Sequence, residues 1–330
     1  MAKVTVLTAV YNAEPYLRQC LDSLKSQTLS DCQFICIDDC STDGSYSILQ
    51  EYAQADSRFQ LLQTPVNSGI AVTRNLGLAF AKGEYLTTLD ADDWFAPDTL
   101  ELAYRKLKET QSPCVLLQLI RYYEEEGRED LCPIRSDQTE WSGEEAFLAI
   151  LNQSIHGMYM AETTLYKRFP YDDSSRIFSD ENTTYIHVLN VKKMVPCEGK
   201  YYYRLHTASA THAVNLRQFD KMTADESTKR QLEQMALTDH SPVLDSYETH
   251  RWLNVVGCYW YYFQHRAAFT PQEHQEIRER FTRILPTIER QRIPWRLKCK
   301  LGYYPFRSYR AFCFWEDLYF NLRKLLRRST

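Results

Sequence analysis

The sequence predicts an α/β domain, its mostly parallel sheet flanked by helices, followed by a C-terminal α-helical region. Two observations carry that expectation. Through roughly the first hundred residues, β-rich runs alternate with segments of helical periodicity, separated by turn-forming clusters. From residue 216 to about 288 the pattern is helical throughout, with few glycines and many long charged side chains. Alternation of the first kind builds right-handed βαβ units. A soft boundary near residue 214 separates a domain over 1–214 from a helical region over 215–330.

KVTVLTAV is the first strand. Residues 15–27 carry Leu17, Leu21 and Leu24 on one helical face, and CQFICIDD is the second strand. STDGS breaks the chain, and the helix that follows, over 45–55, aligns Ile48, Leu49 and Tyr52. RFQLLQT is a third strand. A helix over 70–81 is expected to stop at a Lys82-Gly83 C-cap, and EYLTTLDADD is the fourth strand. Beyond Pro97 come the helix DTLELAYRKLKET, the strand CVLLQLIRYY and an acidic loop at EEEGRED. A helix over about 180–190 and a strand around CEGKYYYRL complete the domain.

The chain's 330 residues, 44% hydrophobic and 25% charged, describe a globular protein large enough for a full core. A net charge of −4 argues against a nucleic-acid partner. The charge is unevenly placed: residues 291–330 hold ten Lys or Arg against Glu316 and Asp317, a local +8, which leaves −12 elsewhere. No stretch approaches the roughly 18–20 apolar residues of a membrane span. The opening apolar run alternates like a strand and leads into Tyr11, Asn12 and Glu14, so it reads as a core strand and not as a secretion signal. A cytoplasmic protein is expected. Its ten scattered cysteines then read as reduced thiols. Cys32, Cys36 and Cys40 lack the tight spacing and partner histidines of a metal knuckle.

In such sheets, ligands bind outside the carboxyl ends of the strands. Residues 8–12, Asp38-Asp39 and residues 90–93 all fall at strand ends. In YLTTLDADDWF, Asp90 and Asp92 share one side of an extended chain, and a turn can bring Asp93 inward. Carboxylates crowded in this way suit a hard divalent cation such as Mg²⁺ or Mn²⁺, which takes one or two of them and completes its shell with water and phosphate oxygens. On its own, an acidic turn of this kind is common.

Three ordered segments add specificity: VTVLTAVYNAEPYLRQCLDSLKSQT, FICIDDCSTDGS and NSGIAVTRNLGLAFAKGEYLTTLDADDWFAPDTLE. Over roughly residues 3 to 210 the sequence closely resembles the family 2 glycosyltransferases of GT-A (Rossmann-like) fold. That resemblance implies a UDP-sugar donor, a divalent Mn²⁺ or Mg²⁺, and inversion at the anomeric carbon. It also implies that Thr8, Ala9 and Tyr11 line the base and ribose pocket, with Tyr11 beside the base. Asp39 would accept from the uracil imide, and Asp38 would support that loop or reach the ribose. Asp90, Asp92 and Asp93 would be the metal and ribose carboxylates, and Arg74 a base or phosphate contact. Read plainly, Tyr11 covers the sheet end and Asp38-Asp39 cap the STDGS turn.

The family's general base is usually the Asp of a Glu-Asp pair at a helix start, well beyond the metal motif. Here FSDENTTY places Asp180 and Glu181 in the reverse order, so both stand as candidates. The plain alternative makes them first-turn acids favoured by the helix dipole. YYYRLHTASATH resembles the segment that closes over the active site, with Arg204 or His206 toward the diphosphate or acceptor. The stretch around His156 falls where acceptor contacts would lie.

The tail over 291–330 mixes its ten basic residues with ten aromatics. That composition suits peripheral contact with the inner face of an anionic membrane, or helices packed on the domain with their charges solvated. The expected partners are a nucleotide-sugar donor and a glycan or lipid-linked glycan acceptor of a growing surface glycan. A nucleotidyltransferase would show an early Gly- and basic-rich phosphate loop, which is missing from the sequence. A non-catalytic nucleotide-sugar-binding scaffold is the other alternative, favoured by the reversed Asp180-Glu181 pair.

Overall fold

The computed structural model of the chain describes residues 2–206 and 214–327, apart from Ile177, Ala236 and His240. The chain divides into two compact units, Met1–Ser209 and Ala210–Thr330.

The first unit begins as the periodicity requires. Strand β1 (Val4–Val10) is buried along nearly its whole length, as is β2 (Cys32–Asp38), so both faces of the sheet are covered. Helix α1 (Glu14–Lys25) buries Leu17, Cys20, Leu21 and Leu24, with proline in its first turn where the missing N–H is no loss. Then come α2 (Ser45–Ala55), β3 (Phe59–Gln63), α3 (Ile70–Leu78) and β4 (Tyr85–Thr88). The expected C-cap at Lys82-Gly83 is not what ends α3, which stops at Leu78. Gly83 is required for a different reason. A Cβ there would lie 2.4 Å from the Thr5 nitrogen, so only glycine lets the chain pass this close to β1.

The remaining elements of this unit are β5 (Trp94–Phe95), α4 (Thr99–Thr110), β6 (Cys114–Tyr123), β7 (Arg128–Leu131), α5 (Gly143–Leu151), β8 (Tyr159–Glu162), α6 (Thr163–Arg168), α7 (Ser179–Leu189) and β9 (Met194–Leu205). Among the described residues they form one nine-stranded sheet of order β3-β2-β1-β4-β8-β6-β9-β5, with β7 paired to β6. The α/β class and its helix-flanked sheet match the expectation. The half of the sheet built by the alternating motifs, β3-β2-β1-β4, is parallel. In the other half β8 lies antiparallel between β4 and β6, and β9 runs parallel to β6. Consequently β1, β2, β4 and β9 all end at one edge of the sheet, and β8 begins there. That edge is where the polar motifs gather.

The second unit is helical: α8 (Asp220–Glu233), α9 (Pro242–His265), α10 (Pro271–Ile284), the short α11 (Trp295–Lys298) and α12 (Tyr309–Arg327). Its core is aromatic, built on Phe219, Trp252, Tyr259, Phe281, Phe312 and Phe320. Trp252 also donates its indole N–H to the Tyr303 carbonyl at 2.8 Å, which leaves no buried donor behind. Among the described residues, no helix is long and apolar enough to cross a membrane.

One carboxyl in this unit is out of place. Glu316 on α12 is fully buried, and neither of its oxygens has a hydrogen-bond partner among the described residues. Burial, with Asp317 beside it, pushes the carboxyl up from 4.5 to about 8. An acid whose pKa rises on folding stabilises the fold below its unfolded value and loses that contribution as pH climbs through about 8. Glu316→Gln is therefore expected to stabilise the C-terminal unit by about 2–4 kcal/mol above roughly pH 8, with little effect near pH 4. Urea denaturation of the two forms at both pH values checks this.

Candidate active site

The first loop of the site is tied down from both sides. Asn12 adopts a left-handed conformation (φ 49°), and its side-chain oxygen accepts from the Thr42 N–H at 2.8 Å. The Asn12 and Ala13 N–H groups donate to Ser41 and Ser45, and Glu14 accepts from the Gly44 N–H. This locks the residues after β1 to the STDGS turn and leaves the Tyr11 ring 49% exposed at the sheet edge. Of the remaining expected pocket residues, Ala9 is half-buried. Thr8 is wholly buried, with its hydroxyl unpartnered among the described residues.

Asp38 ends β2, Asp39 follows it, and both are buried. Asp38 accepts from the Gln63 amide at 2.9 Å and weakly from the Ser41 N–H. Asp39 accepts from the Thr64 hydroxyl at 2.7 Å and from the Ser68 and Gly69 N–H groups at 2.8 Å each. Gly69 sits at φ 89° and starts α3, so Asp39 fixes the turn that launches that helix. Any base contact by Asp39 is made by a carboxylate already holding three donors.

Helix α3 carries Arg74, which is 3% exposed and lies over the Tyr171 ring. One guanidinium nitrogen donates to Asp90 at 2.5 Å and the other reaches Asp180 at 3.8 Å. Arg74 thus bridges the carboxylate after β4 and the one that opens α7, residues far apart in sequence. Burial pulls Arg74 toward neutrality, but Asp90 and Asp180 outweigh it and hold its pKa above the ordinary value. Burial also pushes the Asp90 carboxyl up to about 6, against the pull of Arg74 and with the help of Asp92 and Asp180.

The three acids of the LDADD turn separate in role. Asp92 is half-exposed and takes the His206 Nε2 at 3.1 Å, while Nδ1 of the same ring lies 3.3 Å from the Tyr16 hydroxyl. The pairing is consistent with Nε2–H donated to Asp92 and the tyrosine O–H donated to Nδ1. Asp93 is enclosed: its oxygens accept from the Tyr201 hydroxyl at 2.7 Å and the Arg204 backbone N–H at 2.8 Å. Burial holds its carboxyl well above the usual range, with Asp90 and Asp92 adding to the effect. Through these bonds Asp93 pins β9 to the acidic turn.

Arg204 completes that clamp from β9. It is buried and donates to the Asp92 carbonyl at 2.8 Å, to Glu124 at 2.8 Å and to Gln19, with its guanidinium over the Tyr16 and Trp94 rings. Sequence reasoning named Arg204 and His206 but missed Tyr16, Gln19 and Glu124, which contact them, and Tyr201, which holds Asp93. The signal was period-two alternation in YYYRLH, which sends Tyr201 and Tyr203 to one side and Tyr202 and Arg204 to the other. The rest of that segment, from Thr207, lies outside the described residues.

The two base candidates also separate. Glu181 accepts from the Tyr185 hydroxyl one helical turn on, at 2.9 Å, whereas Asp180 belongs to the Arg74–Asp90 cluster. His156 is half-buried three residues before β8, near the same edge, and its buried Nε2 is unpartnered among the described residues.

Among the described residues, no three His, Cys, Asp or Glu side chains converge as a complete metal cage. The donor set nevertheless fits a cation that draws only part of its shell from protein. Asp92 is half-exposed beside an imidazole nitrogen, and Asp90 is a third exposed with only one of its oxygens paired to Arg74.

Comparison with known proteins agrees with this architecture. The chain is similar to Glycosyltransferase GlyA of Streptococcus pneumoniae serotype 4, at 38% identity over 125 residues, or 38% of this chain and 18% of that protein. It is 38% identical over 120 residues to the poly(ribitol-phosphate) beta-glucosyltransferase of Bacillus spizizenii, covering 36% of this chain and 19% of that one. The chain thus spans less than a fifth of the length of these two relatives. The structure of S. aureus TarS 1–349 in complex with UDP-GlcNAc superposes with a TM-score of 0.74 at 17% identity, covering 97% of this chain and 92% of that one. This likeness shows that the fold is the expected GT-A arrangement. The model of Glycosyl transferase family 2 matches residues 5–174, more than half the sequence, and the chain therefore belongs to that family of transferase enzymes.

Proposed function

We propose that the protein transfers a sugar from a UDP-sugar to a hydroxyl of a growing surface glycan, in a single inverting displacement with Asp180 as general base. The observation that carries this reading is the Arg74 bridge, which sets Asp180 beside the acidic turn while Glu181 is held by Tyr185. As the acceptor oxygen attacks the anomeric carbon, its proton passes to Asp180 and the bond to the diphosphate oxygen breaks, releasing UDP. One base and one displacement give inversion.

On the donor side, Tyr11 offers an exposed ring for the base, and Ala9 lies beside it. Asp38 and Asp39 act from below by holding the end of β2 and the turn into α3, and Thr8 is buried within β1. Asp90 and Asp92 would hold a Mn²⁺ or Mg²⁺ ion, with His206 orienting Asp92 through its Nε2–H. Such an ion supplies Lewis-acid neutralisation of the leaving diphosphate when bound. Support for uridine comes from the UDP-GlcNAc complex of TarS. Support for a surface-glycan acceptor comes from the name of the poly(ribitol-phosphate) relative. A lipid-linked acceptor would place the enzyme at the inner face of the cytoplasmic membrane.

UDP release from a panel of UDP-sugars, with and without Mn²⁺, tests the reading and identifies the sugar. One UDP-sugar is expected to release UDP well above the rest, and only with metal. A scaffold would bind nucleotide and release nothing from any donor.

A further inference from the structure

Helix α12 has two apolar faces, and folding uses one of them. Phe312 and Phe320 are seated in the aromatic core. Facing away from it, Phe314, Leu325 and Leu326 are 65%, 64% and 70% exposed, and Trp315, Leu318 and Leu322 are about 40% exposed. At 3.6 residues per turn, these six fall within a sector of about 120°. The sector continues onto the preceding loop through a row of ring contacts: Phe314 to Trp315, Trp315 stacked on Phe306 at 6.3 Å, and Phe306 to Tyr304 at 4.7 Å. An exposed apolar surface this continuous is uncommon on a soluble monomer.

Charge indicates what covers it. Arg310 and Lys324 are exposed along one flank of the sector, and Arg307 is exposed on the loop between Phe306 and α12. The segment over 291–330 carries +8 in a chain whose net charge is −4. An antiparallel two-fold contact with a second copy through the same face would gather these cations with their own counterparts along one side. An anionic lipid surface satisfies both features at once, taking the aromatic and leucine side chains at the acyl boundary and the cations among the headgroups. We infer that the outer face of α12, continued through Trp315, Phe306 and Tyr304, docks the protein in the plane of an anionic membrane. The inference rests on the C-terminal unit and on none of the proposed sugar chemistry.

The test is sedimentation of the full chain with vesicles of phosphatidylcholine alone or mixed with phosphatidylglycerol, without donor. Three forms are compared: parent, Leu318→Gln with Leu322→Gln, and Arg310→Gln with Lys324→Gln. The parent is expected to sediment with the anionic vesicles only. The leucine pair should lower partitioning by at least about tenfold. The charge pair should lower it roughly fivefold per charge removed, in a salt-dependent way. Unchanged melting temperatures for both variants would show that the fold is intact. Three results would overturn the inference: equal binding of the parent to neutral and anionic vesicles, full binding by the leucine pair, or a parent dimer that the leucine pair dissolves.

Discussion

Asp180→Asn is expected to lower the transfer rate by about 10²–10⁴-fold, the usual contribution of a positioned general base. Affinity for UDP should remain close to that of the parent, because the amide keeps the shape of the side chain and Arg74 retains Asp90 as its partner at 2.5 Å. Glu181→Gln should fall by less than about tenfold, since its role is an i,i+4 contact to Tyr185. Single-turnover rates for both variants, with UDP binding measured in parallel, decide between the two acids. A large loss in Glu181→Gln with Asp180→Asn nearly normal would exchange their roles. Loss of UDP affinity in Asp180→Asn would make this residue a binding group and not the base.

Arg74→Met carries the second large effect, and it acts on stability and function together. The guanidinium is 4% exposed and is the cation paired with the Asp90 carboxylate. Without it, Asp90 and Asp180 face each other across a partly buried gap. Breaking a fully buried pair by removing one partner costs about 3–5 kcal/mol. Here the two carboxylates are 32% and 44% exposed, so water offsets part of the loss. A cost of about 2–3 kcal/mol remains, or a fall of about 5–10 °C in melting temperature for a unit of this size. The Asp90 carboxyl, already at about 6, would rise further and be protonated over more of the neutral range. Metal-dependent nucleotide binding should therefore weaken most below neutral pH. Calorimetry and UDP titration across pH read both effects. An Arg74→Met protein that melts and binds like the parent would show that the bridge has no consequence.

The sequence made the site's motifs visible but not the contacts that sort them. VTVLTAV and FICID are recognisable because a strand buried on both faces must be apolar throughout, and Leu17, Leu21 and Leu24 because one helical face meets the sheet. The acidic turn was equally plain. What could not be read was which acid faces outward, because that depends on β9, more than a hundred residues away. Asp93 is enclosed by Tyr201 and Arg204, and Asp92 meets His206, through pairings that no local pattern announces. Nor could the sequence show that Asp180 reaches Arg74 on α3 while Glu181 is bonded by Tyr185 on α7. Gly83 looked like a helix stop because Lys-Gly often is one, yet its requirement is the close pass by Thr5. The antiparallel insertion of β8 escaped for the same reason: a four-residue strand carries too little periodicity to declare its direction.

The central claim, a metal-supported UDP site in which Asp92 faces the ligand and Asp93 holds the fold, has one most direct test. The melting temperature of the full chain is measured with UDP, with Mn²⁺ and with both, in the parent, Asp92→Asn and Asp93→Asn. UDP at about a hundred times its dissociation constant should add about 2.7 kcal/mol. That gain is expected only with Mn²⁺, in the parent and in Asp93→Asn, and should be absent from Asp92→Asn. Stabilisation by UDP that ignores the metal, or that survives in Asp92→Asn and vanishes in Asp93→Asn, would contradict it.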